Sequence, residues 1–333
     1  MQKRFIFFFG IALAIMMMAW FAYHARYAQP RTDAQVVQIQ IEESMGIRTV
    51  ADLLQEKSII SSSYGYRFYG FLNPETMHVR SGTYALKPGM NYRSIARMLA
   101  LGPPRDEVTV KVVNGWDLRD EARMLREFAV PTSTFMEHAR VSAWRDDFAF
   151  MYALPESASL EGYLFPDTYR VWKDQLPDSL IRKQLEEFAK HADRITLEAK
   201  KQGRTLLEVV TLASIVEKEV SAPEDRKIVA GIFLNRIADG MMLQSDATVN
   251  YVTQTGRTRS TQNDLNIDSP YNTYHHVGLP PGPICNPGED ALEAALNPTP
   301  SSYRYFLTDS NGKVYYGKTF QEHQRNRQKA FGN

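Results

Sequence analysis

Alternating apolar and polar positions mark three short stretches of the chain, Val37–Ile41, Gly82–Leu86 and Val108–Val113. Each is followed by apolar positions at helical spacing. Aligning Met45–Leu54, Met90–Leu99 and Trp116–Leu125 puts Arg48, Arg93 and Arg119 in one column. Ala51, Ala96 and Ala122 fall in a second column, and Leu54, Leu99 and Leu125 in a third. Gly89 and Gly115 stand at the turns of the second and third copies. Each copy therefore predicts strand, turn and short amphipathic helix. The copies are unevenly spaced, which excludes a regular solenoid.

Further along, Pro131 to Gly162 reads as a connecting stretch, and Leu160–Tyr169 as a strand-like aromatic segment turned at Gly162 and Pro166. Pro177–Gln202 predicts a charged amphipathic helix that buries Leu180, Leu185, Phe188, Ala192, Ile195 and Ala199, with Gly203 closing it. Leu206–Val220 predicts a second helix. Pro223-Glu-Asp opens a third, its acidic residues suited to the N-terminal dipole, and Gly240 ends it. Two strand patterns, Tyr303–Thr308 and Lys313–Tyr316, flank Asn311-Gly312, a strong hairpin signal. A basic helix, Phe320–Ala330, follows.

Composition narrows the class. Apolar residues are 44% and charged residues 23%, as in packed globular protein. Lys+Arg number 39 against 38 Asp+Glu, so no basic field for nucleic acid exists at the level of the chain. One cysteine, Cys285, excludes an internal disulfide framework and a cysteine-rich zinc site. The seven histidines lack ligand spacing, so neither metal nor cofactor is expected. Phe5 to Tyr23 is free of charge over 19 residues, long enough to span a bilayer, which takes about 17–25. A cleaved signal peptide would carry a shorter core and small residues before its cleavage site. Lys3 and Arg4 precede the run, while Arg26 and Arg31 follow it. With the terminal amine added, this places the N-terminus in the cytoplasm and the rest of the chain outside it.

Candidate chemistry centres on Leu206–Val220. At 100° per residue, Glu208, Thr211, Ser214 and Lys218 share one stripe of about 120°. Glu217 falls in the middle of the opposite, apolar face, and Glu219 lies nearer the polar stripe. A buried, unpaired Glu217 would have a raised pKa and could serve as a general acid. Equally, it could sit in an internal salt bridge with Arg226 or Arg236. The loops that follow, Leu243–Tyr251, Ser269–Tyr274 and the proline-dense Gly278–Gly288, interleave Tyr, Asn, Gln and Asp. Such loops suit a groove for a neutral sugar polymer.

The segments Leu160–Tyr169, Ala213–Glu219, Gln244–Thr248, Ser269–Tyr274 and Gly278–Gly288 resemble, in order, those of the endolytic murein transglycosylase family (MltG, or YceG-like). The resemblance runs from about residue 40 to His323. It implies an α+β chain with a single N-terminal transmembrane helix, a LysM-like α+β module and a mixed α/β catalytic domain. The expected bounds are 1–4 for a cytoplasmic tail, 5–23 for the anchor, 36–130 for the LysM-like peptidoglycan-binding region and 155–330 for catalysis. The strand–helix repeat matches a LysM-type βααβ unit loosely, and a purely structural spacer is the alternative. The resemblance further implies an inner-membrane enzyme that cleaves nascent peptidoglycan strands internally, with cell-wall synthases as partners. It carries the acid to Glu217, and motif membership suggests Gln244, Asp246, Asn272 and Tyr274 as substrate contacts. Tyr315–Thr319 departs from the family pattern and receives no catalytic role. One carboxyl suffices for a lytic transglycosylase, which forms a 1,6-anhydro end. A hydrolytic muramidase would need a second, Asp246 or Asp264. A non-catalytic anchor that binds peptidoglycan is a further alternative. A pyridoxal-phosphate lyase finds no phosphate-binding glycine loop around Lys218.

Overall fold

The computed structural model describes residues 2–30, 34–74, 78–103, 106–255 and 260–332, and in the first helix only the backbone at 2–8, 10, 12 and 14. The chain is α+β and divides into two compact units, Met1–Arg105 and Asp106–Asn333.

The first unit holds α1 (Gln2–Arg26), β1 (Val37–Ile41), α2 (Ile47–Glu56), α3 (Ser63–Leu72), β2 (Gly82–Leu86) and α4 (Tyr92–Leu101). β1 and β2 pair antiparallel, Val37 opposite Leu86 and Ile41 opposite Gly82. One face of this ribbon, Ile39, Ile41, Tyr84 and Leu86, is buried under Val50, Ala51 and Leu54 of α2 and Ile95, Ala96 and Leu99 of α4. The columns of the repeat are thereby explained. Ala and Leu face the core, while Arg48 and Arg93 face water. Ser62 and Asn91 cap α3 and α4 by accepting from the amides of Gly65 and Ser94 at 3.1 and 2.8 Å. Among the described residues no helix is long and apolar enough to cross a membrane. Of the expected span, the side chains at 5–8, 10, 12 and 14 lie outside the described residues.

The second unit comprises β3 (Glu107–Lys111), α5 (Leu118–Leu125), α6 (Thr132–His138), α7 (Val141–Trp144), β4 (Thr168–Trp172), α8 (Asp178–Lys201), α9 (Leu206–Glu219), α10 (Pro223–Ala238), α11 (Asp246–Thr253), α12 (Gln262–Leu265), α13 (Glu289–Leu296), β5 (Tyr305–Thr308), β6 (Val314–Gly317) and α14 (Phe320–Phe331). The expected 36–130 region is therefore cut. Its third strand, β3, pairs antiparallel with β4, Glu107 opposite Trp172, and so belongs to the second unit with α5. The stretch after Pro131 is no mere connection, because Phe135, Val141 and Trp144 enter the core. Leu160–Pro166 is a turn, and only Thr168–Trp172 forms strand. At Gly162 φ is +89°, and a Cβ would lie 2.5 Å from two ring carbons of Pro283, so the residue must be glycine on both counts.

At the centre lies α9, buried along nearly its whole length and all round it: Leu206 and every residue from Val209 to Val216. The polar stripe read from its sequence meets water only at its ends, Glu208 and Lys218, while Thr211 and Ser214 are buried. Glu208 closes a capping box with Thr205, and Ser214 Oγ both donates to the Thr211 carbonyl at 2.8 Å and accepts from the amide of Ile284 at 3.0 Å.

Candidate active site

The last turn of α9 sends three charged side chains to three destinations. Glu217 Oε1 accepts from Arg226 Nη2 at 2.7 Å and Oε2 from the Gly288 amide at 3.1 Å. This pair is 6% and 9% exposed. Burial raises the Glu217 pKa, and the Arg226 guanidinium and Gly288 N–H oppose the rise. Arg226 Nε also donates to the Val220 carbonyl at 3.0 Å, which fastens the end of α9 to α10. Lys218 Nζ donates to the Gly115 carbonyl at 2.9 Å.

Glu219 alone of the two glutamates lines a cavity of about 860 Å³, whose wall also carries Gln244, Asp246, Tyr274, Tyr251 and Arg236. Ser245 Oγ donates to Glu219 Oε1. Burial pushes this carboxyl up to about 6; Asp246 adds to the rise, while the Ser245 hydrogen bond and Arg236 work against it. Glu217 thus has both the internal salt bridge with Arg226 and a pKa raised by burial, and the carboxyl that lines the cavity is Glu219, two residues on. Helical spacing put Glu217 on a buried face, where it lies, but it does not separate the roles of the two glutamates, because α9 is buried all round from Val209 to Val216.

Of the expected contacts, Gln244, Asp246 and Tyr274 line the cavity beside Glu219. Gln244 sits at φ +49°, a left-handed conformation that a non-glycine residue adopts at a cost of about 1 kcal/mol, and its amide donates to the Thr273 carbonyl at 3.0 Å. Tyr274 donates its hydroxyl to Asp246 at 3.0 Å, and burial followed by the Asp246 charge raises its pKa, so it remains a donor. Asn272 does not join them. It is fully buried, its Nδ2 donates to the carbonyls of Leu265 and Ile267, both at 2.9 Å, and its Oδ1 accepts from the Tyr274 amide at 3.0 Å. Its amide shapes the loop and has no hydrogen left for a sugar. Asp264 is spent on a capping box with Thr261.

Sequence reasoning missed Ser245, Arg236 in its actual role, and Tyr251. Ser245 lay inside the Gln244–Thr248 motif without a signal of its own. Arg236 is buried and donates to the carbonyls of Leu243 and Arg304, both at 2.6 Å, which holds the segment before Gln244 in place. Tyr251 donates to the buried Glu161 at 3.2 Å, while the Arg119 guanidinium lies 4.5 Å from the centre of its ring. The Gly278–Gly288 loop is pinned by Asn286, wholly buried. Its Oδ1 accepts from the amides of Gly162 and Leu164 at 2.7 and 3.2 Å, and its Nδ2 donates to Glu121 at 2.8 Å. Burial pushes Glu121 up to about 8.

A carboxyl held near pH 6, at the head of a cavity edged by amide, tyrosine and carboxylate, defines an acid–base site suited to a polyhydroxylated substrate. The chain belongs to the YceG-like family, whose model matches residues 39–329. It is 32% identical over 309 residues to a Bacillus subtilis (strain 168) protein named endolytic murein transglycosylase, a match that covers 88% of this chain and 84% of that one. A Streptococcus pneumoniae protein of the same name (serotype 2, strain D39) is 31% identical over 87% of this chain, which spans 57% of that relative's length. In structure the chain is similar to a putative YceG-like protein of Listeria monocytogenes, with a TM-score of 0.59 and 30% identity over 88% of this chain and all of that one.

Proposed function

We propose that the protein is an endolytic lytic transglycosylase of peptidoglycan and that Glu219 is its general acid and base. The reading rests on its relatives' shared name and, for the residue, on one observation: Glu219 is the carboxyl of the α9 terminus that lines the cavity, with its pKa lifted to about 6.

In this reading protonated Glu219 donates to the oxygen between N-acetylmuramic acid and N-acetylglucosamine as the C1–O bond breaks. The resulting carboxylate then accepts the proton of the muramic 6-hydroxyl while that oxygen bonds to C1. A 1,6-anhydro end forms and no water is consumed. Ser245 holds the carboxyl in place. Asp246, kept in position by Tyr274, faces the same cavity and would stabilise positive charge developing at C1. That second carboxylate is also what a hydrolytic mechanism would require. Mass analysis of products from uncrosslinked glycan strands separates the two. Ends lighter by one water support transglycosylation, and reducing ends would replace it with hydrolysis through Asp246. Because the active form is protonated, kcat/KM is expected to be level below about pH 6 and to fall about tenfold per unit above it.

The first unit's β1–α2–α3–β2 order with an antiparallel ribbon supports a LysM-like role in holding the glycan. The uncharged run Phe5–Tyr23 supports a single-pass anchor in the inner membrane, N-terminus cytoplasmic, with the remaining chain on the periplasmic side near the cell-wall synthases.

A further inference from the structure

The helix α3 is apolar on two faces. Its inner face buries Tyr66 and Tyr69 in the core of the first unit. Its outer face exposes Tyr64, Phe68, Phe71 and Leu72 at 76%, 52%, 79% and 53%. The spacing i, i+4, i+7, i+8 sets these four side chains in one stripe, as apolar anchors are set on a helix that lies against an apolar surface. A helix apolar all round is covered on both sides in its working state. Outside α1, no other helix of this unit exposes so many large apolar side chains among the described residues.

The geometry points to the bilayer interface as what covers this face. The inference rests on the reading of Phe5–Tyr23 as a membrane anchor. Within the same unit, the Phe21 ring near the end of that run packs edge-on against Phe68, with centroids 5.0 Å apart. Ala25 and Ala28 are buried, and Asn91 Nδ2 donates to the Ala28 carbonyl at 3.1 Å, so the end of α1 is seated on the unit with no free linker between them. Phe21 stands two residues before the last of the run, about 3 Å along the helix axis. Phe68 is therefore held near the depth where acyl chains meet headgroups. The end of α1 exposes Trp20 and Tyr23, Tyr27 follows just beyond it, and α3 exposes Tyr64, the aromatic residue types that settle at that depth. Arg67 lies 5.3 Å from the Tyr64 ring centre, a cation placed for lipid phosphates. The stripe thus lays α3 along the membrane surface and fixes the first unit against the bilayer.

The test uses full-length protein in vesicles of phosphatidylethanolamine and phosphatidylglycerol. Cys285 is wholly buried, so a thiol-reactive fluorophore on the unsubstituted chain gives a low background. Met16→Cys, Phe71→Cys and Glu43→Cys are labelled singly and quenched by a nitroxide-bearing phospholipid or by aqueous iodide. The inference expects labels at 16 and 71 to be quenched several-fold more by the lipid than the label at 43, with iodide showing the reverse order. If 16 meets the lipid but 71 responds to iodide as 43 does, the anchor stands and the interfacial helix is refuted. If 16 itself meets iodide, the anchor fails and the inference falls with it.

Discussion

The helices α2 and α4 of the first unit and the helix α9 of the second were open to the same reading of apolar spacing, with opposite results. α2 and α4 each have one face on the core and one in water, so Ala51, Leu54, Ala96 and Leu99 lie where the spacing puts them and Arg48 and Arg93 point out. α9 is enclosed all round from Val209 to Val216, with Glu208 and Lys218 exposed at its two ends, and its polar residues answer particular partners: Glu208 the cap, Ser214 the amide of Ile284, Glu217 Arg226 and Glu219 Ser245. Periodicity reports the boundary between protein and water. Where a helix has no such boundary, the roles of its polar residues are set by segments distant in sequence.

The contrast can be broken most forcefully at Glu217. Glu217→Ala leaves Arg226 buried without its carboxylate and is expected to destabilise the second unit by about 3–5 kcal/mol in denaturant unfolding. A loss under 1 kcal/mol would mean the pair is solvated and the all-round burial of α9 is wrong at its end. In the first unit, Leu54→Ala is expected to cost about 2–5 kcal/mol, because the side chain is wholly buried. Arg48→Ala, in the same copy of the repeat but on the wet side, should change stability by no more than about 0.5 kcal/mol. Equal costs would undo the explanation of the repeat.

A subtler test uses pH. Glu121 is pushed up to about 8 by burial, so its folded-state pKa lies above the ordinary carboxylate value. Its contribution to stability is fully present below about 4.5 and is lost as pH rises through about 8. Glu121→Gln removes the titration and is expected to raise Tm at pH 8 relative to the unsubstituted protein while changing it little at pH 5. Gln184 Oε1, buried without a partner, can accept the new amide once its own amide turns over. A variant whose Tm keeps the original slope with pH would assign that slope to another group.

Most element positions were legible from local signals. Caps, the Pro223 start, the Gly203 stop and the Asn311-Gly312 hairpin all act within a few residues. The division after Arg105 was not, because the strand that decides it, β3, takes its partner at Thr168–Trp172. At the site, the segments Gln244–Thr248 and Ser269–Tyr274 supplied Gln244, Asp246 and Tyr274 of the cavity wall, and the hydrogen bond from the Gln244 amide to the Thr273 carbonyl holds the two segments side by side. The second segment also admitted Asn272, whose hydrogen bonds are all turned inward. The choice between Glu217 and Glu219 depended on where Arg226 and Ser245 lie in space.

That choice is the centre of the account, and one comparison tests it most directly. Unsubstituted protein, Glu219→Gln and Glu217→Gln are incubated with uncrosslinked glycan strands, each variant's fold is checked by circular dichroism, and initial rates of anhydro-end formation are read by mass spectrometry. The account predicts a loss of about 10²–10⁴-fold for Glu219→Gln, with turnover persisting in the folded fraction of Glu217→Gln. The reverse pattern, with Glu219→Gln active and folded Glu217→Gln inert, would return the acid to Glu217 and contradict the account.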